Sequence, residues 1–161
     1  MQSPDTNRSI RAELELLYQV PSSAISANLL FLLPDDMLFW IISHLRGQPA
    51  PAPDCDNTKW IQVFDVLSPH YIIPLLWYNL KKQTPPVLPP DWVVERMRHA
   101  YRVASIRSLR TDHQIGQFTS HLREAGIEPI ILKGPALGHL IYPYPALRTG
   151  SDIDILIHPD Q

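Results

Sequence analysis

Two aspartates, Asp152 and Asp154, stand two positions apart in the apolar run DIDILI (152–157). Successive side chains of a strand point to opposite faces, so this spacing predicts both carboxylates on one face and the isoleucines on the other, toward a core. Like charges side by side repel unless a cation lies between them. Because Mg²⁺ takes one or two carboxylates together with substrate phosphate oxygens, the pair indicates a metal–phosphate site. Asp-x-Asp pairs also occur by chance at strand ends.

A second group of candidate residues lies in the stretch ILKGPAL, residues 131–137. Its pattern predicts a strand that ends at Lys133-Gly134 and is followed by a helix. The positive end of such a helix, with its backbone N–H groups, can hold a phosphate, and glycine permits close approach. The alternative is that Gly134-Pro135 is only a turn between the two elements.

Taken together, these two signals are stronger than either one alone. Lys133-Gly134 ends one predicted strand, the two aspartates lie on the next, and Arg148 comes shortly before them. We therefore expect cationic, backbone-donor and metal-binding groups to meet at one end of a small sheet. The Gly-x4-Gly-Lys-Ser/Thr pattern of P-loop proteins is absent from the sequence.

The elements before this region are predicted to be helical. Helical signals run over residues 9–46, and two short helices broken at SPHYIIP fill residues 58–82. A long helix is predicted from Trp92 to Ala125, where Gly126 ends it. Its arginines are more typical of a solvated face than of a phosphate site, and no site is assigned to them; they are Arg98, Arg102, Arg107 and Arg110.

After Gly126 the hydrophobic period changes to that of strands. Strands are predicted over 127–132 and 152–157, with a helix around 136–142 between them. The fold class is therefore α+β, with a helical N-terminal part packed on a strand–helix–strand core. The predicted division is a helical region with a proline-rich linker (1–57), a second helical region (58–126) and the start of the core (127–161).

Composition limits the classes of partner. The formal net charge is -2, so no broad cationic surface for nucleic acid is indicated. The sequence has one cysteine, Cys55, which cannot form an intramolecular disulfide. The N-terminus lacks the pattern of a signal peptide, and no apolar stretch reaches the roughly 20 residues that span a bilayer. These features predict a soluble, cytoplasmic protein.

The run AGIEPIILKGPALGHLIYPYPALRTGSDIDILI resembles the uncharacterised nucleotidyltransferase-like family of the DNA polymerase β-type superfamily. The family motifs Leu-Lys-Gly-x-Ala, Tyr-Pro-x-Pro and Arg-x-x-x-Asp-x-Asp recur in this order, and the resemblance extends over roughly residues 59–158. It implies that Asp152 and Asp154 are catalytic and hold Mg²⁺ against a nucleoside triphosphate. Gly134 matches the glycine at the start of the nucleotide-facing helix, and Lys133, Arg148 and Ser151 are assigned to the nucleotide as well.

The sequence departs from the superfamily in two ways. Lys-Gly-Pro stands at the helix start in place of Gly-Ser, and Gly150-Ser151 lies too late to substitute. The superfamily's third carboxylate lies on a later strand, whereas the sequence ends seven residues after Asp154. We therefore expect an N-terminal portion of a longer, Mg²⁺-dependent nucleotidyltransferase, or a truncated product, that acts on an unknown acceptor hydroxyl. We also expect self-association through an open sheet edge. The alternative is a catalytically silent helical interaction or regulatory module that retains part of the fold.

Overall fold

The protein is described by a computed structural model over residues 33–83, 88–148, 150 and 152–158. The N-terminal part of the predicted helical region and Ser151 lie outside the described residues. In the described ranges, four α-helices precede the strands: α1 (Asp35–Leu45), α2 (Asn57–Leu67), α3 (Ile73–Leu80) and α4 (Asp91–Glu124). Strand β1 (Ile130–Leu132), helix α5 (Lys133–Leu140) and strand β2 (Asp154–Leu156) follow, and two short 3₁₀ helices cover Ser68–His70 and Pro145–Leu147.

Local signals explain where the first helices begin and end. α1 carries two acids in its first turn, which favour the positive helix end, and the chain leaves it through Gly47 at a φ of 72°. At the start of α2 the side chain of Asp56 accepts a hydrogen bond from the backbone N–H of Lys59 at 3.0 Å. The amide of Asn79 donates to the carbonyl oxygens of His44 and Leu45, which fixes α3 against the end of α1.

One hydrophobic core joins α1, α2, α3 and the first part of α4. The ring of Trp40 on α1 packs edge-on against that of Trp60 on α2, with 5.2 Å between centroids. The indole N–H of Trp92 donates to the side-chain oxygen of Asn57 at 3.0 Å, so α4 starts beside the start of α2. The fully buried core side chains include Met37, Trp40, Trp60, Val63, Phe64, Leu67, Leu76, Leu80, Val93 and Met97.

Helix α4 confirms the long helix predicted from Trp92 to Ala125 to within one residue at each end. Only the first half of its apolar stripe is buried: Met97 and Ala104 are buried, whereas Phe118 is 49% exposed. The second half of the helix therefore extends beyond the helical core. The 3₁₀ helix Pro145–Leu147 packs against α4, and its Ala146 and Leu147 are buried.

The two strands form an antiparallel pair in which Ile130 lies opposite Leu156, Ile131 opposite Ile155, and Leu132 opposite Asp154. Among the residues that the structure describes, each strand has one partner and therefore one open edge. The α+β class is confirmed, with short strands and a helical majority. Self-association through a sheet edge stays a prediction.

Four details of the predicted core differ from the structure. The first strand begins at Ile130 and not at 127, and the helix between the strands begins at Lys133 and not near 136. The second strand begins at Asp154, so Asp152 lies just before it. Ile153 and Ile157 were predicted to face a core, but they are 36% and 38% exposed, and both lie just outside the three residues of β2.

No helix in the described ranges is long and apolar enough to cross a membrane. The division into three regions at 57/58 and 126/127 stays a prediction, although residues 33–50 and 60–97 share one core.

Replacing Leu67 with alanine tests the helical core. Leu67 is fully buried, so Leu67→Ala removes contacts and leaves a cavity, and we expect the free energy of unfolding to fall by about 2–5 kcal/mol. Ile61→Ala on the same helix is the control, because Ile61 is 45% exposed and should change stability by about 0.5 kcal/mol or less. Urea denaturation measures both. Equal effects of the two variants would contradict the assignment of the core.

Candidate functional site

The pairing of the strands carries Asp154 to the point where β1 ends. Asp154 lies opposite Leu132, the last residue of β1, and α5 begins at the next residue, Lys133. The Nζ atom of Lys133 lies 3.4 Å from Oδ2 of Asp154, and the two side chains are 74% and 37% exposed. Two residues that were assigned to the site from separate motifs are thus in direct contact.

The backbone at Lys133 is in an unusual conformation. Leu132 is extended, with φ -114° and ψ 167°, whereas Lys133 has a φ of 52°, in the left-handed region that lysine rarely adopts. A non-glycine residue held there costs on the order of 1–3 kcal/mol, and such residues cluster at active sites and ligand clamps. The abrupt change from strand to helix depends on this conformation, and it places the Lys133 ammonium beside β2.

Gly134, at the second position of α5, borders open space. A Cβ atom added at Gly134 would have no described atom within 4 Å, and its φ is not positive, so neither packing nor backbone conformation requires glycine there. No side-chain hydrogen bond caps the N-terminus of α5 within the described chain. The first turn of α5 therefore offers backbone N–H groups and room for a ligand to approach.

A cleft with a mixed polar and apolar lining lies between α4, α5 and the segment that leads into β2. Both Arg148 and Asp152 lie on its wall, together with the α4 residue Arg107, which was not predicted as a site residue. Hydroxyl and amide groups of α4 add further hydrogen-bonding capacity. The lining residues are Arg107, Ser108, Thr111, Asp112, Gln114, Pro135, Gly138, Pro145, Arg148, Gly150, Asp152 and Ile153.

Two contacts hold α5 in place beside the cleft. Gly138 is buried against Pro145, where an added Cβ would lie 3.4 Å from the Pro145 backbone, so α5 and the 3₁₀ helix approach closely. On the other side, Nε2 of His139 lies 2.9 Å from Oδ1 of Asp112 on α4. These contacts orient α5 relative to α4, which carries one wall of the cleft.

The structure brings the predicted site residues into two adjoining groups. Lys133 and Asp154 form the ion pair at the end of β1, with Gly134 next to it in the chain, and Arg148 and Asp152 line the cleft. Three further residues were missed: Arg107, Asp112 and His139. Asp112 and His139 are 27 residues apart in sequence, and no local pattern signals their contact.

The ligands available to a metal ion are few. Within residues 33–83, 88–148, 150 and 152–158, no group of three or more His, Cys, Asp or Glu side chains could hold a metal ion. Asp152 and Asp154 supply two carboxylates. Such a donor set does not form a complete protein cage, but it fits the mode in which Mg²⁺ takes one or two carboxylates and completes its shell with water and substrate phosphate oxygens.

The described chain is an α+β protein in which a helix starts at Lys133-Gly134 directly after β1, and Asp154 lies on the neighbouring strand. A family model described as "Uncharacterised nucleotidyltransferase" matches residues 56–161. The chain belongs to this family. The resemblance found in the sequence is thus confirmed. No curated protein and no solved structure shows significant similarity to the chain.

Replacing Gly134 with alanine separates folding from ligand approach. Because an added Cβ meets no described atom, Gly134→Ala should leave the free energy of unfolding unchanged or raise it by up to about 1 kcal/mol through helix propensity. Gly126→Ala is the control, since Gly126 has a φ of 79° and alanine there should be destabilising by about 1 kcal/mol. Thermal and urea denaturation measure both variants. A marked loss of stability in Gly134→Ala would show that the fold itself requires this glycine.

Proposed function

We propose that the protein is the nucleotide- and metal-binding part of a Mg²⁺-dependent nucleotidyltransferase. It transfers a nucleoside monophosphate from a nucleoside triphosphate to an acceptor hydroxyl. Family membership supports the reaction class. The observation that carries the proposal for these residues is the contact between Lys133 and Asp154 at a strand–helix junction with left-handed backbone geometry.

The energy of the ion pair and the cost of the backbone conformation indicate that this junction serves ligand binding more than folding. The side chains of Lys133 and Asp154 are 74% and 37% exposed, and ion pairs with this exposure contribute about 0–1 kcal/mol because water screens them. The contribution of the ion pair therefore does not exceed the cost of the left-handed conformation at Lys133, which is on the order of 1–3 kcal/mol. Ligand binding gives a reason for this geometry, since a phosphate beside α5 would interact with both the ammonium group and the helix N-terminus.

Asp152 and Asp154 would hold Mg²⁺ through their carboxylate oxygens. When bound, the ion would lower the pKa of the attacking hydroxyl and neutralise charge on the pyrophosphate that leaves. Lys133, Arg148 and the first N–H groups of α5 then bind and orient phosphate oxygens. We assign Ser151 to the same nucleotide site on the family resemblance alone.

The transfer balances without another reactant. The acceptor hydroxyl releases its proton to the solvent, and its oxygen forms a bond to the α-phosphorus. The bond from that phosphorus to the α–β bridging oxygen breaks, and pyrophosphate leaves with the electron pair. Positioning and charge stabilisation account for most catalysis in such transfers, which suits a site built from cations, carboxylates and backbone donors.

One metal–phosphate site of this kind serves acceptors as different as sugars, proteins and nucleic-acid ends. We place the reaction in the cytoplasm. The only cysteine is Cys55, whose pKa is raised by burial and by Asp36, so at neutral pH it is a thiol without a partner in the chain.

A second candidate function is a regulatory or interaction module that has kept the fold and lost the reaction. The observation that favours it is that the described residues bring together no cluster of three possible metal ligands. The helical majority of the described chain also suits a protein-binding role. Such a module needs neither Mg²⁺ nor a nucleotide.

Replacing Asp154 with asparagine tests the proposed reaction. The asparagine side chain has no charge to hold Mg²⁺ or to pair with Lys133, so Asp154→Asn should lower Mg²⁺-dependent pyrophosphate release from nucleoside triphosphate at least 100-fold, about 3 kcal/mol of transition-state stabilisation. The control is Asp65→Asn, which removes an exposed carboxylate from α2 and should leave the rate unchanged. An unchanged rate in Asp154→Asn would remove this aspartate from the mechanism.

Calorimetry with Mg²⁺ and ATP distinguishes the two candidate functions. A nucleotidyltransferase site should give a saturating binding signal that EDTA abolishes, because the phosphates and both carboxylates share the ion. The Gly134→Ala variant should bind at least tenfold more weakly, since its methyl group occupies the space beside the helix start. A protein that gives no metal-dependent heat with any nucleoside triphosphate would support the module.

A further inference from the structure

Helix α4 changes its role along its length. Its last buried residue is Ala104, which lies one turn before the cleft. From Arg107 to Gln114 its charged and polar side chains line the cleft, together with Arg148 and Asp152. A helix whose first half belongs to the core therefore forms one wall of the cleft with its second half.

Arg107 is placed there by an aromatic contact. Its guanidinium carbon lies 5.6 Å from the centroid of the Tyr71 ring. Tyr71 ends the 3₁₀ helix Ser68–His70 in a left-handed conformation, with a φ of 57°. Within the described ranges no carboxylate lies within 4 Å of the Arg107 guanidinium. A guanidinium that contacts an aromatic ring keeps its N–H groups available for bidentate bonds to an oxyanion.

The charges around the cleft are balanced before a ligand enters. The lining includes two arginines, Arg107 and Arg148, and two aspartates, Asp112 and Asp152, so their formal charges cancel. Oδ1 of Asp112 is already bonded to His139. A divalent ion on Asp152 makes the cleft cationic, and a triphosphate carries the complementary negative charge.

We propose that Arg107 is a phosphate-binding residue of the nucleotide site, and that it contacts the triphosphate across the cleft from Arg148. This inference rests on the proposed function and extends it to the helical region. It implies that the nucleotide lies between α4 and the segment that leads into β2. The ligand is defined by its chain of phosphates, and the base plays no part in the contact.

Binding of MgATP, MgADP and AMP to wild type and to variants of the full chain tests this inference. Arg107→Gln should weaken MgATP binding at least tenfold and AMP binding much less, because it removes a contact to the outer phosphates. Arg107→Lys keeps the charge and loses the fork of donors, so an intermediate loss is expected. Arg110→Gln is the matched control: Arg110 is exposed on α4 and does not line the cleft, so binding should stay within twofold of wild type.

The outcomes separate this inference from the proposed function. If Asp154→Asn abolishes Mg²⁺-dependent binding while Arg107→Gln behaves like Arg110→Gln, the nucleotide site stands and the role of Arg107 is wrong. Equal losses for MgATP and AMP in Arg107→Gln would also overturn it, since they indicate a general structural effect. Wild type that binds no nucleoside triphosphate refutes both proposals. Melting temperatures of the variants show whether each is folded, and Arg107→Lys provides the test if Arg107→Gln is not.

Discussion

The register between β1 and β2 is the constraint on which the candidate site depends. Leu132 pairs with Asp154, and this pairing alone sets the aspartate beside the residue that starts α5. A slip of one residue would move every side chain of β2 to the opposite face. The carboxylate would then point away from Lys133, and the two motifs would no longer share a site. In a pair of three-residue strands few ladder bonds fix the register, so the neighbouring helix must help to hold it.

That support comes from the way α5 is held. Its start is strained at Lys133, and the exposed ion pair with Asp154 offsets little of that cost. The burial of Gly138 against Pro145 keeps α5 close to the following 3₁₀ helix, and Ala146 and Leu147 of that 3₁₀ helix are buried. The hydrogen bond between His139 and Asp112 adds a tie to α4. Packing behind the site thus stabilises a conformation that the site residues alone do not favour.

Local patterns predicted the elements well because each had a clear hydrophobic period or an unambiguous end signal. In the first of the two short predicted helices Trp60, Phe64 and Leu67 are buried, and Gly126 follows the end of the long helix. The predicted burial of Ile153 and Ile157 was wrong, because alternation along a strand shows which residues share a face and not whether another layer covers it. The pairing of Lys133 with Asp154 agrees with the expected meeting of their two motifs.

The sequence did not predict Arg107, Asp112 and His139 as site residues, and the reason is different. Arg107 stands among several arginines on one helix, and its spacing does not distinguish it from Arg102 or Arg110, which do not line the cleft. What distinguishes it is the position of α4 relative to Tyr71 and to the segment before β2, which only tertiary packing determines. The contact between His139 and Asp112 has the same origin. Charged residues of a long helix can be assigned only when its neighbours are known.

The helical core therefore matters to the site as well as to stability. The family match begins at residue 56, where the Asp56 side chain caps α2, yet the core does not begin there. Trp40 of α1 is fully buried and contacts Trp60, so a helix outside the family match completes the packing around α2 and α3. These helices hold the first half of α4, and a rigid helix transmits that position to its second half. Any change in α1 that shifts α4 therefore also shifts the cleft wall that carries Arg107.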